Sequence, residues 1–378
     1  MIRLALIATP SSGGLPVGLV GTSVFEVVAT CSTRSAPGMI ARTIALLDPE
    51  VLLIDFSSTT EPAELVRELA AISRKAVLLG YGARFSDAQR AALESAGLAG
   101  ILQDTFSPGD LDEAVRWALH QTHPVEHRNL FAFLPAKAGS GCSTTVLNTA
   151  AQVANTLGMK TLLIEGALRS GVMSYMLDLR ARGGLLAILE ESGNLSPVEW
   201  QSHIETIGKL DLLLANPLHA GFLPTWATYF HILSFSHSMY DCIMVDLPEV
   251  VNPATSELVT AARMVFIVCE PEIASLKLVQ VRRKELEAAG VPPDRISVIG
   301  NRWESKRLTK EALEAETRTP MYAALPNDYQ QVKNAVMESR LVSPDSKFGQ
   351  ACATLARRIS GARQEAPSGP VEIGRAHV

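Results

Sequence analysis

The sequence predicts an α/β protein built from two doubly wound parallel-sheet domains. Short apolar segments rich in β-branched residues alternate with amphipathic helical patterns through most of the 378 residues. This alternation is typical of a parallel sheet covered by helices on both faces. A polar segment, HQTHPVEHRN, interrupts the pattern at residues 120–129. The chain length also fits two or three domains of about 100–200 residues each.

The first segment contains five strand candidates. In order they are RLALIA, VFEVVAT, VLLIDF, KAVLLG and GILQ. Between some of them, PAELVRELAAIS and DAQRAALESAG have apolar residues at helical spacing, and SPGDLDEAVRWALH closes the segment as a capped amphipathic helix. We predict a first domain over residues 1–120 and a linker over residues 121–129.

The second segment repeats this organisation on a larger scale. Its strand candidates are FAFLPA, TLLIE, DLLLA, DCIMVD, MVFIVCE, ISVIGN and MYAALP. Two helical segments, STTVLNTAAQVANTLG and SLKLVQVRRKELEAAG, each end at a glycine suited to a left-handed cap. We predict a second domain over residues 130–362. Residues 363–378 are predicted to be a disordered tail, and its final EIGRAHV resembles a translated sequencing adapter.

Composition narrows the function classes. A net charge of -5 argues against a surface built as a whole for nucleic acid. The five cysteines lie far apart without a C-x-x-C pair, which favours a reduced, cytoplasmic environment. No apolar segment approaches the roughly 18 residues of a membrane span. The apolar part of MIRLALIATPSSGG is also too short for a signal peptide.

Residues 137–145, KAGSGCSTT, form a glycine-bearing loop between a predicted strand and a predicted helix. Such a loop directs backbone N–H groups at one point, where the helix dipole also favours an anion. A plain strand-to-helix turn capped by a serine is the alternative. The flanking strand and helix favour a nucleotide site. Its candidate residues are Lys137, Gly139, Ser140, Gly141, Cys142, Ser143 and Thr144.

Three of these residues have specific expected roles. Gly139 and Gly141 can adopt the backbone angles that an anion-binding loop needs. Ser143 stands where the hydroxyl ligand of Mg²⁺ belongs.

The loop resembles the deviant Walker A box, K-G-G-x-G-K-[ST]-[ST], of the MinD/ParA ATPases. The resemblance implies that Lys137 is the signature lysine, which reaches the partner subunit's nucleotide across a dimer. It also implies that Cys142 replaces the lysine that contacts the β- and γ-phosphates in cis. Losing such a charge-assisted contact costs about 1.5–3 kcal/mol. A thiol at a helix N-terminus can have a lowered pKa and be redox-sensitive, but a small, inert Cys142 is the favoured interpretation.

Two further motifs bear on catalysis. YDCIMVDLPEV places Asp246 at a strand end, where a carboxylate can hold a Mg²⁺-bound water. In the MinD/ParA family the strand after the phosphate loop ends in D-x-D, and the second acid positions the attacking water. Here the pair is Glu165 and Ala167, so the resemblance implies slow or absent hydrolysis.

Two late motifs resemble the family's adenine site. SVIGNRW places Asn301 where the family reads the base edge, although an asparagine at a strand end also forms turns. LPNDYQQVKNAVMESRLV resembles the P-x-D segment beside the adenine, with Pro326 and Asp328 at the matching positions.

The first domain resembles a response-regulator receiver, with Asp55 in DPEVLLIDFSS at the phosphoacceptor position. Phosphoryl transfer there needs an acidic pair for Mg²⁺, a Ser/Thr after strand four and a Lys after strand five. The sequence has no acidic pair, and offers Gly80, Tyr81, Gln103 and Asp104 at the other two positions. We therefore predict a flavodoxin-like pseudo-receiver used for docking or dimerisation. A response regulator signalling through Asp55 is the alternative.

Together the two domains are similar, over residues 1–362, to the CpaE/TadZ proteins, which are localisation factors of the Tad (Flp) pilus machinery. The resemblance implies ATP and Mg²⁺ as ligands, a homodimer, and pilus or secretion proteins at the cell pole as partners. The protein would be cytoplasmic and recruited to the inner face of the membrane at a pole. The expected function is a nucleotide-responsive scaffold with weak or absent hydrolysis. An active ParA/MinD-class ATPase moving DNA or membrane cargo is the alternative.

Three remaining patterns favour structural explanations. His120, His123 and His127 lie in the linker, where metal-ligand geometry is rarely held. Residues 263–310 carry ten Lys/Arg against six Asp/Glu, which fits a solvated helix face better than a DNA-binding surface. FGQACATLARRISGARQ has only a thin apolar stripe, so it should pack as the last helix rather than anchor in a membrane.

Overall fold

The fold is described by a computed structural model of the 378-residue chain, which divides into two units. It describes residues 1–8, 16, 19, 24–33, 37–73, 75–103, 105–122, 129–179, 183–190, 196–215, 224–306 and 308–361. Unit 1 contains the described residues up to 122 together with 224–234, and unit 2 contains the others. The predicted tail at 363–378 and most of the predicted linker lie outside the described residues.

Unit 1 is a five-stranded sheet. Its strands are β1 (Ile2–Ala8), β2 (Phe25–Ser32), β3 (Val51–Asp55), β4 (Val77–Tyr81) and β5 (Gly100–Ile101). The strands pair in parallel in the order β2-β1-β3-β4-β5, which is the order of flavodoxin-like sheets. Each predicted strand of this segment forms. β3 and β4 are buried along their whole length because both faces of a doubly wound sheet are covered.

Over the described residues up to 122, four helices connect or follow these strands. They are α1 (Pro37–Leu47), α2 (Pro62–Ile72), α3 (Asp87–Ser95) and α4 (Pro108–Thr122). The sequence predicted α2, α3 and α4. α3 begins at a reciprocal capping box between Ser86 and Gln89, which satisfies two backbone donors of its first turn.

Unit 2 is an eight-stranded sheet. Its strands are β6 (Leu130–Pro135), β7 (Thr161–Glu165), β8 (Glu205–Ile207), β9 (Leu210–Leu213), β10 (Cys242–Asp246), β11 (Met264–Cys269), β12 (Ile296–Trp303) and β13 (Met321–Pro326). They pair in the order β13-β12-β11-β6-β10-β7-β9-β8. β6 therefore lies inside the sheet, with β10 on one side and β11 on the other.

The sheet of unit 2 is parallel except at one edge. β8 pairs antiparallel with β9, so the expectation of a wholly parallel sheet is wrong there. The two strands are joined by a two-residue turn at Gly208 and Lys209, and Gly208 has a φ of 64°. A turn of this length connects antiparallel neighbours, whereas parallel strands need a longer crossover.

Ten helices follow β6 among the described residues. They are α5 (Cys142–Ala151), α6 (Met173–Met176), α7 (Gly184–Glu190), α8 (Pro197–Ser202), α9 (Trp226–Ser236), α10 (Ser256–Ala261), α11 (Ile273–Ala288), α12 (Lys310–Thr317), α13 (Tyr329–Met337) and α14 (Lys347–Ser360). A π-helical turn over Gln152–Thr156 continues α5. The two long helices predicted from the sequence correspond to α5 with this turn and to α11.

The first turns of α9 belong to unit 1, although the sequence analysis assigned residues 130–362 to the second domain. Trp226 and Phe230 are buried in one core with residues of β1, β3, β4 and α4. Trp226 Nε1 donates a hydrogen bond to Asp112 Oδ1 at 2.6 Å, and His231 Nε2 lies 2.6 Å from Glu50 Oε1. The chain therefore returns to unit 1 after β9 and leaves it again before β10.

The C-terminal helix and the basic region have structural roles. The apolar side of α14 is buried in the core of unit 2 through Phe348, Cys352, Leu355, Ala356 and Ile359. On α11, Lys277, Arg282 and Arg283 pair with Glu316, Glu249 and Glu287, respectively, so these basic charges are offset. Among the described residues, no helix is both long and apolar enough to cross a membrane.

Candidate nucleotide-binding site

The glycine loop links the end of β6 to the start of α5. Gly139 and Gly141 have φ values of 80° and 82°, in the left-handed region that glycine adopts without strain. Gly141 is the N-cap of α5, and a Cβ there would lie 2.3 Å from Asn301 Nδ2. A side chain at position 141 would therefore be strained in this backbone conformation and would displace Asn301. The loop has the strand–loop–helix geometry that presents backbone N–H groups to an anion.

Ser143 and Asp246 meet at the carboxyl ends of β6 and β10. Ser143 Oγ donates a hydrogen bond to Asp246 Oδ2 at 2.6 Å. Burial raises the pKa of Asp246 to about 7, and the nearby charge of Glu165 adds to the rise, while hydrogen bonds from Ser143 and Cys142 oppose it. Asp246 Oδ1 is buried and has no hydrogen-bond partner among the described residues. This orphan oxygen beside a hydroxyl fits the oxygen ligand set that Mg²⁺ prefers.

Two other hydroxyl groups near the loop are also buried and, over the described ranges, unpaired. Ser140 Oγ and Thr145 Oγ1 are buried without a hydrogen-bond partner in the described part of the chain. Buried polar atoms in folded proteins are nearly always satisfied, so three such atoms around one loop favour a place for a polar ligand there.

Cys142 is buried in the core of unit 2 with Val146 and other apolar residues. Burial raises the pKa of its thiol well above the usual value, and the charge of Asp246 and a hydrogen bond to it act in the same direction. The interpretation of Cys142 as a reactive thiol of lowered pKa is therefore wrong. The residue is a small buried side chain that brings no positive charge to the loop.

Both carboxylate oxygens of Glu165 accept hydrogen bonds from backbone N–H groups. Its Oε1 accepts hydrogen bonds from the N–H groups of Val172 and Met173 at 2.7 and 2.8 Å, and Oε2 accepts one from Ala215 at 2.9 Å. Burial raises its pKa despite these three bonds. Ala167 is buried and has no carboxylate. This pair of positions therefore contains no group that is free to activate a water.

A cleft of about 230 Å³ opens beside the loop. Its lining includes Gly141, Thr144, Asn301, Pro326 and Asp328, which the sequence analysis named for the nucleotide. The structure thus brings together loop and base-site candidates that are up to 187 residues apart (328 − 141). The other lining residues are Arg302, Asn327, Tyr329, Val332, Lys333, Val336, Met337 and Phe348.

Two of the candidates have defined partners inside this cleft. Asn301 Nδ2 donates to the carbonyl oxygen of Ser140 at 2.8 Å, which fixes the end of β12 against the loop. Asp328 precedes α13, and its Oδ2 accepts a hydrogen bond from the Phe348 N–H at 3.2 Å.

Lys137 is held within its own chain by two carboxylates that no sequence motif predicted. Its Nζ lies 2.9 Å from Glu270 Oε2 and 3.1 Å from Glu272 Oε1. These hydrogen bonds raise the pKa of Lys137. Glu270 is buried and also pairs with Arg302. The acidic segment CEPE follows β11, which neighbours β6, and this sheet position brings both carboxylates to the loop.

A second ion pair, between the buried Arg282 and the partly exposed Glu249, supports the start of the loop. Glu249 Oε2 accepts a hydrogen bond from the Ala138 N–H at 3.2 Å, and Glu249 Oε1 lies 3.2 Å from an Arg282 guanidinium nitrogen. Arg282 Nε also donates to the Ala136 carbonyl at 3.5 Å. No local pattern in the sequence predicts these contacts, because Glu249 and Arg282 are more than 100 residues from the loop along the chain.

Several proteins of known structure are similar in fold to this chain. A ParA family ATPase from Chlorobium tepidum has a TM-score of 0.56 and 20% identity, covering 61% of this chain and 98% of that chain. A chain of the MinC:MinD cell division protein complex of Aquifex aeolicus has a TM-score of 0.53 and 23% identity. The match covers 64% of this chain and 99% of that chain. Unit 2 has the fold of the MinD/ParA ATPases.

Two more findings concern nucleotides. The septum site-determining protein MinD of Pyrococcus horikoshii, complexed with Mg-ADP, has a TM-score of 0.50 and 20% identity, covering 61% of this chain and 95% of that chain. An uncharacterised ATP-binding protein of Methanocaldococcus jannaschii is 28% identical over 143 residues, or 36% of this chain. The match spans about half of that relative, 52% of its length. The chain matches no established protein-family profile.

In unit 1, Asp55 lies buried at the end of β3. Its Oδ1 accepts a hydrogen bond from the Ser57 N–H at 2.8 Å, and a Cβ on Gly82 would lie 2.8 Å from the same oxygen. Asp104, His123 and His127 lie outside the described residues. Within the described ranges, no group of three or more His, Cys, Asp or Glu side chains is placed to hold a metal ion.

Proposed function

We propose that the protein is a nucleotide-responsive scaffold that binds Mg·ATP, hydrolyses it weakly or not at all, and forms a homodimer when nucleotide is bound. One observation carries the proposal. The loop keeps its glycine geometry and the Ser143–Asp246 pair, whereas the positions for the cis lysine and the second acid hold the uncharged, buried Cys142 and Ala167. A site that keeps the groups that bind nucleotide but lacks those that hydrolyse it fits a protein whose conformation or assembly responds to bound nucleotide.

The residues that would hold the nucleotide fall into three sets. The N–H groups of the loop and of the first turn of α5 would bind phosphate oxygens. Ser143 and Asp246, the latter through a water, would hold Mg²⁺, which neutralises charge on the phosphates when bound. Asn301, Pro326 and Asp328 line the cleft where the base would lie.

The homodimer is supported by what surrounds Lys137. Val250 and Ile273 are 57% and 79% exposed, and they directly follow Glu249 and Glu272, which contact the loop. Exposed large apolar side chains beside a nucleotide site favour a protein partner over solvent. Two copies meeting there would bring two triphosphates close together. A Lys137 donated by each copy to the other would offset that repulsion.

The biological setting is proposed from the sequence resemblance. We assign the protein to the CpaE/TadZ type, acting at the inner face of the cell membrane at a pole with Tad (Flp) pilus or secretion proteins. In this proposal residues 1–120 form a pseudo-receiver for docking. The buried Asp55, whose Oδ1 is already bonded to the Ser57 N–H, favours docking over phosphoryl signalling.

An active ParA/MinD-class ATPase is the second candidate. The fold of unit 2 favours it, as do the retained Lys137 and the Ser143–Asp246 pair. The two candidates differ in turnover and agree on nucleotide binding.

Sedimentation with and without Mg·ATP tests the scaffold. Wild type should gain mass to a dimer with nucleotide, and Lys137→Ala should stay monomeric while remaining folded, because the residue lies in a loop. Lys277→Ala is a matched control, since Lys277 is an exposed lysine paired with Glu316 on α12. Dimerisation of wild type without nucleotide, or of Lys137→Ala with it, would contradict the proposal.

A further inference from the structure

The phosphate loop lacks a side-chain cation on its helix side. Cys142 is buried and uncharged, and the two residues after it, Ser143 and Thr144, carry hydroxyls. Lys137 is engaged by Glu270 and Glu272. A bound triphosphate would therefore meet backbone N–H groups but no positive charge from α5.

Arg302 lies at the right place to supply this charge. It lines the same cleft as Gly141 and Thr144. The preceding residue, Asn301, donates a hydrogen bond from Nδ2 to the carbonyl oxygen of Ser140 in the loop. This bond holds the backbone next to Arg302 against the loop.

The backbone of Arg302 is also unusual. Its φ is 50°, in the left-handed region that non-glycine residues rarely adopt. Conformations of this kind persist where the surrounding structure holds them, and they concentrate at ligand sites. Here the conformation lies one residue before the end of β12, within a register shift between Gly300 and Trp303, where Arg302 lines the cleft.

Glu270, which pairs with Arg302, would keep a second cation if Arg302 moved away. The guanidinium is half-exposed and pairs with the buried carboxylate of Glu270. Lys137 Nζ lies 2.9 Å from the other oxygen of the same carboxylate. Removing the sole partner of a buried charge is strongly unfavourable, but a carboxylate shared by two cations keeps one when the other leaves.

We propose that Arg302 binds the phosphates of the nucleotide in cis and supplies the positive charge that Cys142 does not. The inference rests on the proposed nucleotide binding. A guanidinium is always charged and its planar set of donors matches phosphate oxygens in pairs. Arg302 would turn from Glu270 to the phosphates when the ligand enters, and in the nucleotide-bound monomer Lys137 would keep Glu270 paired.

Calorimetric titration with ADP and with adenosine, in the presence of Mg²⁺, tests the contact. Arg302→Ala should weaken ADP binding about 10-fold to 100-fold, the range of a charge-assisted hydrogen bond, and change adenosine binding by less than about twofold. Arg302→Lys should retain part of the ADP affinity. Lys333→Ala removes another cation of the cleft lining and is the matched control, with a smaller loss for ADP.

The outcomes separate this inference from the proposed function. If Arg302→Ala loses affinity equally for ADP and adenosine, or loses none for either, the phosphate contact is overturned. The proposed function still stands in that case, provided that wild type binds ADP. Absence of ADP binding by wild type overturns both.

A double-mutant cycle adds a second measurement. Cys142→Lys in the Arg302→Ala background should recover ADP affinity, and the two changes should be non-additive because both cations serve the same phosphates. Position 142 is buried, so a lysine there can disturb folding. The salt dependence of ADP binding is therefore also measured on wild type and on Arg302→Ala, neither of which carries that change. ADP affinity should fall less steeply with salt in Arg302→Ala. Equal slopes together with additive effects contradict the proposal.

Discussion

At the scale of single residues, Cys142 and Ala167 set the expected turnover. Cys142 packs in the core, and Ala167 is buried next to a Glu165 whose oxygens are all engaged by backbone N–H groups. We expect wild-type phosphate release well below the enzyme median of about 10 s⁻¹. Cys142→Lys combined with Ala167→Asp should raise the steady-state rate more than either change alone, because both act on one transition state.

Ala167→Asn is the matched control for this experiment. It adds a side chain of the same size without a carboxylate, so it should leave the rate unchanged in either background. A wild-type rate near the median, or equal effects of Asp and Asn at position 167, would show that these residues do not limit hydrolysis.

The residues that a local motif or the family resemblance defines, such as Ser143 and Asn301, were accessible from the sequence, and the counter-ions that only strand pairing brings to the loop were not. Gly139, Gly141 and Ser143 follow from a short pattern between one strand and one helix. Glu270 and Arg302 reach the loop only because β11 lies beside β6 and β12 beside β11. No spacing in the sequence encodes that lateral order, so the counter-ions of Lys137 could not be predicted.

At the scale of secondary-structure elements, α9 gives a sharp test. Trp226 is 4% exposed in the core of unit 1 and donates a hydrogen bond to Asp112, whereas Trp117 on α4 is 55% exposed. Trp226→Ala should lower the free energy of unfolding of unit 1 by about 3–5 kcal/mol through loss of buried area and the cavity left behind. Trp117→Ala, the matched control, should change it by no more than about 0.5 kcal/mol.

Hydrogen exchange read by mass spectrometry under increasing denaturant provides the measurement. In Trp226→Ala the amides of β1, β3 and β4 should exchange at lower denaturant than in wild type, because these strands share a core with Trp226. Similar shifts in Trp226→Ala and Trp117→Ala would mean that α9 does not support this core.

The elements themselves were predicted unevenly for physical reasons. Buried parallel strands are continuous apolar segments, so the five strands of unit 1 and seven of unit 2 could be identified. β8 has three residues with none fully buried, too few for a pattern to emerge. α9 is apolar on nearly all sides, which indicates burial but does not specify which core receives it.

At the scale of the whole molecule, nucleotide should act as a stabilising ligand of unit 2. A ligand that binds only the folded state at 100 times its Kd adds about 2.7 kcal/mol to the free energy of unfolding. We therefore expect Mg·ADP to slow hydrogen exchange in β6, β10 and α5, whose ends form the site.

Removal of the metal supplies the control. Chelation of Mg²⁺ should reduce the protection, and Asp246→Asn should make it insensitive to chelation, since Asp246 is the carboxylate beside Ser143. Protection that is identical with and without Mg²⁺ in wild type would contradict the metal assignment.

The course of α9 also affects how the chain folds during synthesis. The last helix of the N-terminal sequence, α4, ends at residue 122, and Trp226 follows about a hundred residues later. At about 5–20 residues per second, the ribosome needs roughly 5 to 20 s to cover that distance. Until then the apolar surface that Trp226 and Phe230 cover has no partner from α9. The order of folding therefore departs from the order of synthesis: β6 and α5 emerge before the core of unit 1 can close.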